Sequence, residues 1–303
     1  MVKKIIFPAT SRVHVARQQL LLNELGKFFQ VCIATYGEKS MNMSEVAVDI
    51  TQKFKKAIDS EKPDIALIRG DRFEQLPIAT LCAYSGIPIA HIEGFDLSGV
   101  IDNKVRYAIS HLSDHHFVTN EDSFSRAKAM GFKNVWNFGS LDVEYALQCP
   151  KIDPGRTKPY IVVLYHQIPG EDAGNVKNGI DRFVHETPYD VVGIRGNSDY
   201  TASKGEEYPP EQFINLLRHA SIVVGNSSAG IKEATALGCR VVNIGSRQAN
   251  RLKPENVVDC KCDELDIYQA IKYQMGRKFL NSTLYYQPNT SKNISLKIRE
   301  VIT

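Results

Sequence analysis

The 303-residue sequence predicts two α/β domains, each built on a doubly wound, Rossmann-like parallel sheet. Three observations lead to this fold class. Short apolar runs rich in valine and isoleucine alternate along the chain with segments of helical periodicity. These runs lack polar alternation, as expected of parallel strands that helices cover on both faces. The length also suits two domains better than one. Right-handed crossovers would then place helices on both sides of each sheet.

The first domain is predicted to span residues 1–152 and to contain six strands and five helices. The strands are expected at 4–7, 31–34, 65–69, 87–92, 116–118 and 135–138. The helices are expected at 13–25, 44–60, 73–84, 103–112 and 122–130. Prolines and a glycine punctuate residues 148–155, which predicts a linker there.

The second domain is predicted over residues 153–303. Its strands are expected at 160–164, 190–194, 221–224, 240–244 and 256–258, and its helices at 178–186, 210–219, 228–237 and 265–275. A last helix at 292–302 suits packing on either domain. Two doubly wound domains are expected to face a shared cleft with the carboxyl ends of their strands, where ligands bind in this class.

Composition narrows the classes of function. A formal charge of +3 is too small to indicate a nucleic-acid partner, and the longest apolar runs are of strand length, so no membrane partner is expected. The amino terminus has too short an apolar region for a signal peptide, and six cysteines suit a reducing compartment, so a cytoplasmic location is expected. Cys260 and Cys262 are separated by a single residue and have no second cluster, which argues against a metal site. We expect neither metal nor cofactor.

The segment 225–230, Gly-Asn-Ser-Ser-Ala-Gly, is the most informative turn, because it joins a predicted strand to a predicted helix. Small residues such as Gly230 let the backbone approach a ligand, and the free N–H groups of a helix start favour phosphate. Ser227 and Ser228 add hydroxyl donors, and Glu233 lies one helical turn further, where it could accept bonds from ribose. The alternative is a structural turn in which one serine caps the helix.

Three acids follow predicted strands of the first domain. Asp71 comes directly after the strand at 65–69, and Glu93 follows the strand at 87–92. Asp102 and Arg106 are four residues apart, so a helix would present them on one face. Each acid could instead be a helix cap or a surface residue. Their shared position at the carboxyl ends of parallel strands favours a common acid/base site.

Two polar residues occupy comparable places in the second domain. His166 follows the strand at 160–164, and Asn197 follows the strand at 190–194. A loop histidine and a turn asparagine are the structural alternatives. His166 suits proton transfer or anion binding, while Asn197 is the weaker candidate for a polar contact with a ligand.

Five segments in this order carry a resemblance to a known family: Gly70-Asp71-Arg72-Phe73, His91-Ile92-Glu93-Gly94, Ser98-Gly99-Val100-Ile101-Asp102-Asn103 with Arg106, the 225–230 turn, and Val242-Asn243-Ile244-Gly245-Ser246-Arg247-Gln248. Together they resemble the UDP-N-acetylglucosamine 2-epimerase family, and more closely its hydrolysing branch. The resemblance covers nearly the whole chain. It implies the two-domain glycosyltransferase-B type of fold, in which the last helix commonly crosses back to the first domain.

The resemblance also implies a reaction. UDP leaves the anomeric carbon as the C2 proton is removed, which gives a glucal intermediate. Water then adds at C1 with reprotonation of C2 on the other face, so that N-acetylmannosamine is released. Asp71, Glu93 and Asp102 would supply the acid and base groups. Arg106 would orient Asp102 or the substrate, and His166 would donate a proton to the leaving group or stabilise its charge.

For the nucleotide, the resemblance implies contacts from both domains. Arg12 and Arg247 would meet the diphosphate, as the guanidinium fork suits phosphate oxygens. Ser227 and Ser228 would hold phosphate, and Glu233 would hold ribose. A homodimer without cofactors, with a place in sialic acid biosynthesis, is implied as well.

The chain departs from the family in several places. His14 and Arg17 stand where an acid and a lysine are usual, and Asn103 replaces a second acid. The stretch 36–46 is shorter than in relatives, and no histidine occurs from residue 18 to residue 90. The sugar pocket is therefore expected to be more open, or to use His14 or a group of a partner subunit.

Two classes of function remain open at this stage. The first is a hydrolysing UDP-N-acetylglucosamine 2-epimerase; an epimerase of UDP-diacetylbacillosamine, a non-hydrolysing epimerase and a glycosyltransferase are the alternative enzymes. The second is a catalytically silent protein that binds a nucleotide sugar. Three carboxylates beside an anionic ligand favour the enzyme, because a mere binder of UDP has no use for them.

Overall fold

A computed structural model describes residues 2–9, 12–35, 43–194 and 206–302, without the side chains of residues 12–14 and 43. The predicted site residue Asn197 lies outside this part of the chain, as does the short segment 36–42. The structure describes the backbone of Arg12 but not its side chain. The chain divides into two compact units. The first comprises Met1–Leu97, Ile101–Glu144 and Tyr286–Thr303; the second comprises Ser98–Val100 and Tyr145–Tyr285.

The first unit is built on a parallel sheet of six strands in the order β2-β1-β3-β4-β5-β6. Its strands are β1 (Lys4–Ala9), β2 (Gln30–Thr35), β3 (Ile65–Arg69), β4 (Ile89–Ile92), β5 (His115–Val118) and β6 (Val135–Asn137). Its helices are α1 (Arg12–Arg17), α2 (Gln19–Leu25), α3 (Met43–Glu61), α4 (Gln75–Tyr84), α5 (Asp102–Leu112) and α6 (Glu121–Ala129). The strand order reverses between β1 and β3, which is where such sheets bind ligands.

The second unit has a parallel sheet of five strands in the order β11-β10-β9-β7-β8. The strands are β7 (Tyr160–Leu164), β8 (Asp190–Gly193), β9 (Ile222–Gly225), β10 (Val241–Ile244) and β11 (Val257–Cys260). The helices are α8 (Ala173–His185), α9 (Pro210–His219), a π-helical segment Gly230–Ala234 and α10 (Glu264–Met275). Here the order reverses between β7 and β9.

Both faces of the first sheet are buried, which explains the unbroken apolar strands. Ile5 and Phe7 of β1 belong to one core cluster, while Ile6 between them belongs to the cluster on the opposite face. A strand with side chains alternating between two dry faces needs apolar residues at every position. The α/β class with two parallel sheets is thus confirmed.

Helix α11 (Thr290–Ile302) packs in the first unit, although it ends the chain. Ile294 and Ile298 lie in the same core cluster as Leu21 and Leu25 of α2. Burying two isoleucine side chains contributes about 3–6 kcal/mol. The hydroxyl of Thr290 also donates to the carbonyl of Phe138 at 2.7 Å.

Two helix predictions differ clearly in extent from the structure, and one helix was not predicted. The helix expected at 13–25 is broken at Gln18, and α8 begins at Ala173, before residue 178, because Asp172 accepts the Gly174 N–H at 2.8 Å as a cap. Helix α7 (Leu141–Gln148) was not predicted, since its few residues carry little periodicity. Within the described ranges, no helix is long and apolar enough to cross a membrane.

Candidate active site

Asp71 lies just beyond the carboxyl end of β3 and is held by an arginine of α5. Gly70 turns the chain with a φ of 79°, a conformation that favours glycine. The guanidinium of Arg106, which is buried, donates to the Asp71 carboxylate and to Asn103 Oδ1 at 2.9 Å. Arg106 therefore ties Asp71 to the start of α5, where Asp102 is the first helical residue.

Glu93 follows β4 and has a strained backbone. Its φ of 65° is unusual for a residue other than glycine, and its N–H donates to the carbonyl of Phe117 at 2.8 Å. The carboxylate accepts from Arg69 Nη2 at 2.8 Å and from the Ser140 hydroxyl at 3.3 Å. Arg69 Nη2 also donates to Asp142 at 2.6 Å. Two of the three predicted acids, Asp71 and Glu93, thus lie beside buried arginines.

His91, on β4, connects these two strand ends. Nε2 lies 2.9 Å from the Gly70 carbonyl and Nδ1 lies 3.0 Å from the Ser110 hydroxyl. A carbonyl can only accept, so Nε2 carries the proton and Nδ1 accepts from serine in the neutral ring. Burial lowers the pKa of His91 to about 4, against the hydrogen bond that it donates to the Gly70 carbonyl and the charge of Glu93, which raise it. His91 is therefore a neutral support for the turn that carries Asp71.

Buried neutral histidines predict loss of stability in acid. Burial also lowers the pKa of His116 to about 3, and both residues titrate near 6.5 when unfolded. The unfolded chain then binds more protons below pH 6.5, so stability is intact above that pH and falls as pH drops toward 4. We expect His91 alone to contribute about 3 kcal/mol to this loss.

Urea unfolding midpoints measured from pH 7.5 to 4.5 test this expectation. The slope of stability against pH should flatten in H91Q and stay as in the unmodified chain in H185Q, since His185 is exposed on α8. An unchanged slope in H91Q would show that His91 is not the titrating group.

In the second unit, Asn226 joins the ends of β7 and β9, the two strands at the reversal of strand order. Its side-chain Oδ1 accepts the His166 N–H at 2.7 Å, and its Nδ2 donates to the His166 carbonyl at 2.8 Å. Asn226 is fully buried. Gly225 before it must be glycine, because a Cβ there would lie 2.0 Å from the Leu164 carbonyl oxygen. His166 is thereby placed beside the 225–230 turn.

Arg247 reaches the same turn. Its Nη1 donates to the Asn226 carbonyl at 2.9 Å, and Gln248 Nε2 donates to that oxygen at 3.1 Å. Burial, together with the positive charge of Arg247, lowers the pKa of His166 to about 4. At pH 7 the imidazole is therefore neutral, and a bound anion beside it would favour its protonated form.

The 225–230 turn combines features of a helix cap and of an anion site. The Ser227 hydroxyl accepts the Ala229 N–H at 3.4 Å, while Ser227 and Ser228 remain partly exposed. The following helix starts at Ser228 and widens into a π-helix from Gly230, a form that often marks functional sites. Glu233 within it is 3% exposed. The turn thus has a capping hydroxyl and a helix start that can accept an anion.

Ser98–Val100 follow β4 in the chain but belong to the second unit. The Gly99 N–H donates to the Arg247 carbonyl at 2.8 Å, and Asn250 Nδ2 donates to the Ser98 carbonyl at 3.2 Å. A Cβ on Gly99 would lie 1.8 Å from the Ser246 carbonyl oxygen. Glycine is therefore required where this segment meets the backbone before Arg247.

Replacing Gly99 by alanine is expected to displace the Ser246–Arg247 backbone, because neither contact atom can move alone. We expect the free energy of unfolding to fall by about 1–3 kcal/mol. Urea denaturation measures this loss. The matched control is G276A in the same unit, where the new Cβ would lie 3.8 Å from the Tyr273 carbonyl oxygen, an ordinary van der Waals contact. Equal losses in G99A and G276A would contradict the steric argument.

Glu171 braces the loop that carries Arg247. Its Oε1 accepts from the Ser246 N–H at 2.9 Å and from the Ser246 hydroxyl at 3.0 Å, and its Oε2 accepts from Tyr165 at 3.2 Å. An open pocket of about 640 Å³ adjoins this bridge and is lined by Glu171, Gly245, Ser246, Asp259, Cys260, Lys261, Cys262 and Asp266. Three acids in its wall make it unsuitable for a diphosphate.

The structure thus joins several predicted residues within each unit. Asp71 pairs with Arg106, and Arg247 and His166 meet at Asn226, while Asp102 begins α5. Arg69, Asp142, Asn226 and Glu171 were not singled out from the sequence. Asn226 lies within the predicted 225–230 turn, and Arg69 left a signal as a charged residue that ends an otherwise apolar strand. In the part of the chain that the structure describes, no group of three or more histidines, cysteines or acids could hold a metal.

Comparison with known proteins comes from both sequence and structure. The family model described as UDP-N-acetylglucosamine 2-epimerase matches residues 24–299. A protein of Neisseria meningitidis serogroup B named UDP-N-acetylglucosamine 2-epimerase is 31% identical over 241 residues, which are 71% of this chain and 64% of that protein. A Legionella pneumophila protein named UDP-N,N'-diacetylbacillosamine 2-epimerase (hydrolyzing) is 30% identical over 79% of this chain and 71% of that protein.

Solved structures show the same fold at lower identity. The UDP-GlcNAc 2-epimerase from Neisseria meningitidis bound to UDP-GlcNAc superposes with a TM-score of 0.83 at 18% identity, over 98% of this chain and 100% of that one. The S. aureus MnaA–UDP structure gives a TM-score of 0.84 at 16% identity, over 99% of this chain and 97% of that one. The fold is therefore that of glycosyltransferase-B-like 2-epimerases.

Proposed function

The chain belongs to the UDP-N-acetylglucosamine 2-epimerase family, and from this premise we propose that it is a hydrolysing UDP-N-acetylglucosamine 2-epimerase. The net reaction converts UDP-N-acetylglucosamine and water into UDP and N-acetylmannosamine. The proposal includes a cytoplasmic homodimer without cofactors and a place in sialic acid biosynthesis.

One observation carries the proposal: Asp71 and Glu93 follow the carboxyl ends of neighbouring parallel strands, and each carboxylate is bonded to a buried arginine. A guanidinium partner favours the ionised carboxylate. Ionised acids at the carboxyl edge of a sheet suit proton removal from a carbon atom. In a protein that only bound the nucleotide, these negative charges would repel the anionic ligand and serve no chemical step. Their presence therefore argues against a silent binder.

The second unit supplies groups for the UDP moiety. Ser227, Ser228 and the backbone at Gly230 would hold phosphate oxygens, and Arg247 would add a guanidinium beside them. Glu233 would accept hydrogen bonds from the ribose. Arg12 and Asn197 remain proposed contacts of the nucleotide.

The proposed chemistry proceeds in two stages. A carboxylate removes the C2 proton while the C1–O bond to UDP breaks, and the electron pair forms the C1=C2 bond of the glucal. Water then adds its oxygen to C1, and C2 receives a proton on the opposite face. His166 is neutral before binding, so its first role is to donate a hydrogen bond to the diphosphate. The negative charge of that group favours the imidazolium form, so His166 would take up a proton as the diphosphate binds, and this proton would pass to the leaving UDP.

Two related reactions follow from the named relatives. The Legionella pneumophila and Campylobacter jejuni relatives carry names of hydrolyzing epimerases of diacetylbacillosamine nucleotides. The Neisseria meningitidis relative is named for UDP-N-acetylglucosamine without that qualifier. A hydrolysing reaction on UDP-diacetylbacillosamine and a non-hydrolysing epimerisation are therefore the alternatives.

Incubation with UDP-N-acetylglucosamine in D₂O, followed by NMR, separates these activities. Free UDP with N-acetylmannosamine that carries deuterium at C2 would support the proposal. UDP-N-acetylmannosamine would indicate a non-hydrolysing epimerase. If a parallel incubation shows turnover of UDP-diacetylbacillosamine and none of UDP-N-acetylglucosamine, the former is the substrate. Unchanged nucleotide sugars together with tight UDP binding would indicate a silent binder and refute the enzyme.

A further inference from the structure

Arg69 is a charged residue in a strand that is otherwise apolar and fully buried. It ends β3, and only 6% of its surface is exposed. One nitrogen, Nη2, donates both to Glu93 at 2.8 Å and to Asp142 at 2.6 Å. Asp142 lies on α7, 73 residues away along the chain from Arg69. A single guanidinium nitrogen therefore connects two carboxylates from separate elements.

This arrangement is poorly explained by stability alone. Burial of an ion pair costs desolvation energy that the attraction often fails to recover, and apolar residues would fill the space at lower cost. Asp142 Oδ1 and Arg69 Nε also lack a hydrogen-bond partner among the described residues. A bracing contact would be expected to satisfy these atoms.

The neighbouring acid has the features of a functional group. Glu93 holds a left-handed backbone conformation, with φ of 65°, that costs about 1–3 kcal/mol. The Ser140 hydroxyl adds a second bond to the same Oε1 atom that Arg69 contacts. Backbone strain and fixed hydrogen bonds together hold this carboxylate in one orientation.

We propose that Arg69 and Asp142 form a positioning pair that keeps Glu93 ionised and oriented as the proton acceptor of the reaction. This inference rests on the proposed function and adds residues that act through Glu93. Arg69 supplies the positive charge, and Asp142 competes for it. Arg69 therefore favours the ionised form of Glu93, and Asp142 disfavours it.

The groups that face Glu93 include one further titratable residue. His91, two residues earlier on β4, is electrostatically coupled to Glu93 and is neutral above about pH 4. In the pH range of an activity assay His91 is therefore uncharged, whereas Arg69 and Asp142 are the charged side chains bonded in this cluster.

Opposite shifts in two variants test the pair. In R69Q, Glu93 and Asp142 become neighbouring acids that have lost their shared cation, so the acid limb of kcat/KM should move upward by about one to two pH units. In D142N, the positive charge of Arg69 is no longer shared with a second carboxylate, so the acid limb should move to lower pH. R69K keeps the positive charge but lacks the guanidinium fork, so its acid limb should lie close to that of the unmodified chain. D49N, which breaks an exposed pair with Lys53, is the control and should leave the limb in place.

A direct titration keeps the test independent of turnover. Protein labelled with ¹³C at the glutamate carboxyl groups would be titrated by NMR, and the resonance lost in E93Q would identify Glu93. We expect its midpoint to rise in R69Q and to fall in D142N. If R69Q fails to fold, D142N carries the test, since the substitution is nearly isosteric.

The outcomes separate this inference from the proposed function. If the protein turns over the substrate but the titration midpoint of Glu93 is the same in R69Q, in D142N and in the unmodified chain, the positioning pair is overturned and the proposed function stands. Opposite shifts of the midpoint without turnover of any UDP sugar would support the pair and refute the function. Lower activity and lower thermal stability without movement of the acid limb would show that Arg69 is merely structural.

Discussion

Replacing Asp71 by asparagine is expected to lower kcat on UDP-N-acetylglucosamine by about 10²–10⁴-fold while UDP still binds. The change removes one charge and keeps the shape. Arg106 then faces an amide in place of the carboxylate that it now contacts. Because Asp71 lies in the first unit and the proposed UDP contacts of the 225–230 turn lie in the second, the loss should fall on the chemical step.

The measurement is steady-state turnover together with the dissociation constant of UDP. The matched control is D59N, which removes a carboxylate from an exposed pair with Lys55 on α3 of the same unit. It should retain both kcat and UDP affinity. Weaker UDP binding by D71N with kcat unchanged would mean that Asp71 serves binding and not proton transfer.

The double variant S228A/E233Q is expected to weaken UDP binding by about 100-fold. Each lost hydrogen bond to a charged or polar group of the ligand is worth about 1–2 kcal/mol, and 1.4 kcal/mol corresponds to a tenfold change. Ser228 is partly exposed at the start of the helix, whereas Glu233 is buried in the π-helical segment. Glutamine preserves the volume of Glu233 and so limits damage to the packing.

Calorimetric titration with UDP gives the dissociation constant, and thermal unfolding checks the fold. S221A is the control, because Ser221 lies just before β9, at the opposite end of the strand from the turn. Its UDP affinity should match that of the unmodified chain. A folded S228A/E233Q protein with unchanged affinity would place the nucleotide elsewhere, since both proposed contacts would then be absent from the complex.

Much of the fold was predictable because its signals are local. The strand at 65–69 consists of four consecutive apolar residues followed by Arg69, and β3 occupies those positions. By contrast, α7 escaped prediction, since eight residues hold barely two helical turns. The break at Gln18 was also missed, because the apolar pattern continues across it.

Pairing of side chains was less predictable. Arg106 was expected to orient Asp102 or the substrate, and the structure shows its bonds to Asp71 and Asn103. His166 was expected to donate a proton to the leaving group or to stabilise its charge, and in the structure burial and Arg247 lower its pKa to about 4. Both properties depend on groups that are distant along the sequence.

The sequence by itself determined the α/β class, the order of the strands along the chain and the position of Asp71, Glu93 and the 225–230 turn after parallel strands. Period, composition and turn chemistry are local properties, so they can be read from neighbouring residues. The tertiary structure alone decided that Arg69 serves both Glu93 and Asp142, and that Asn226 holds His166 and Arg247. These contacts join residues 21 to 73 positions apart, and their burial and charge arise only when the sheets assemble.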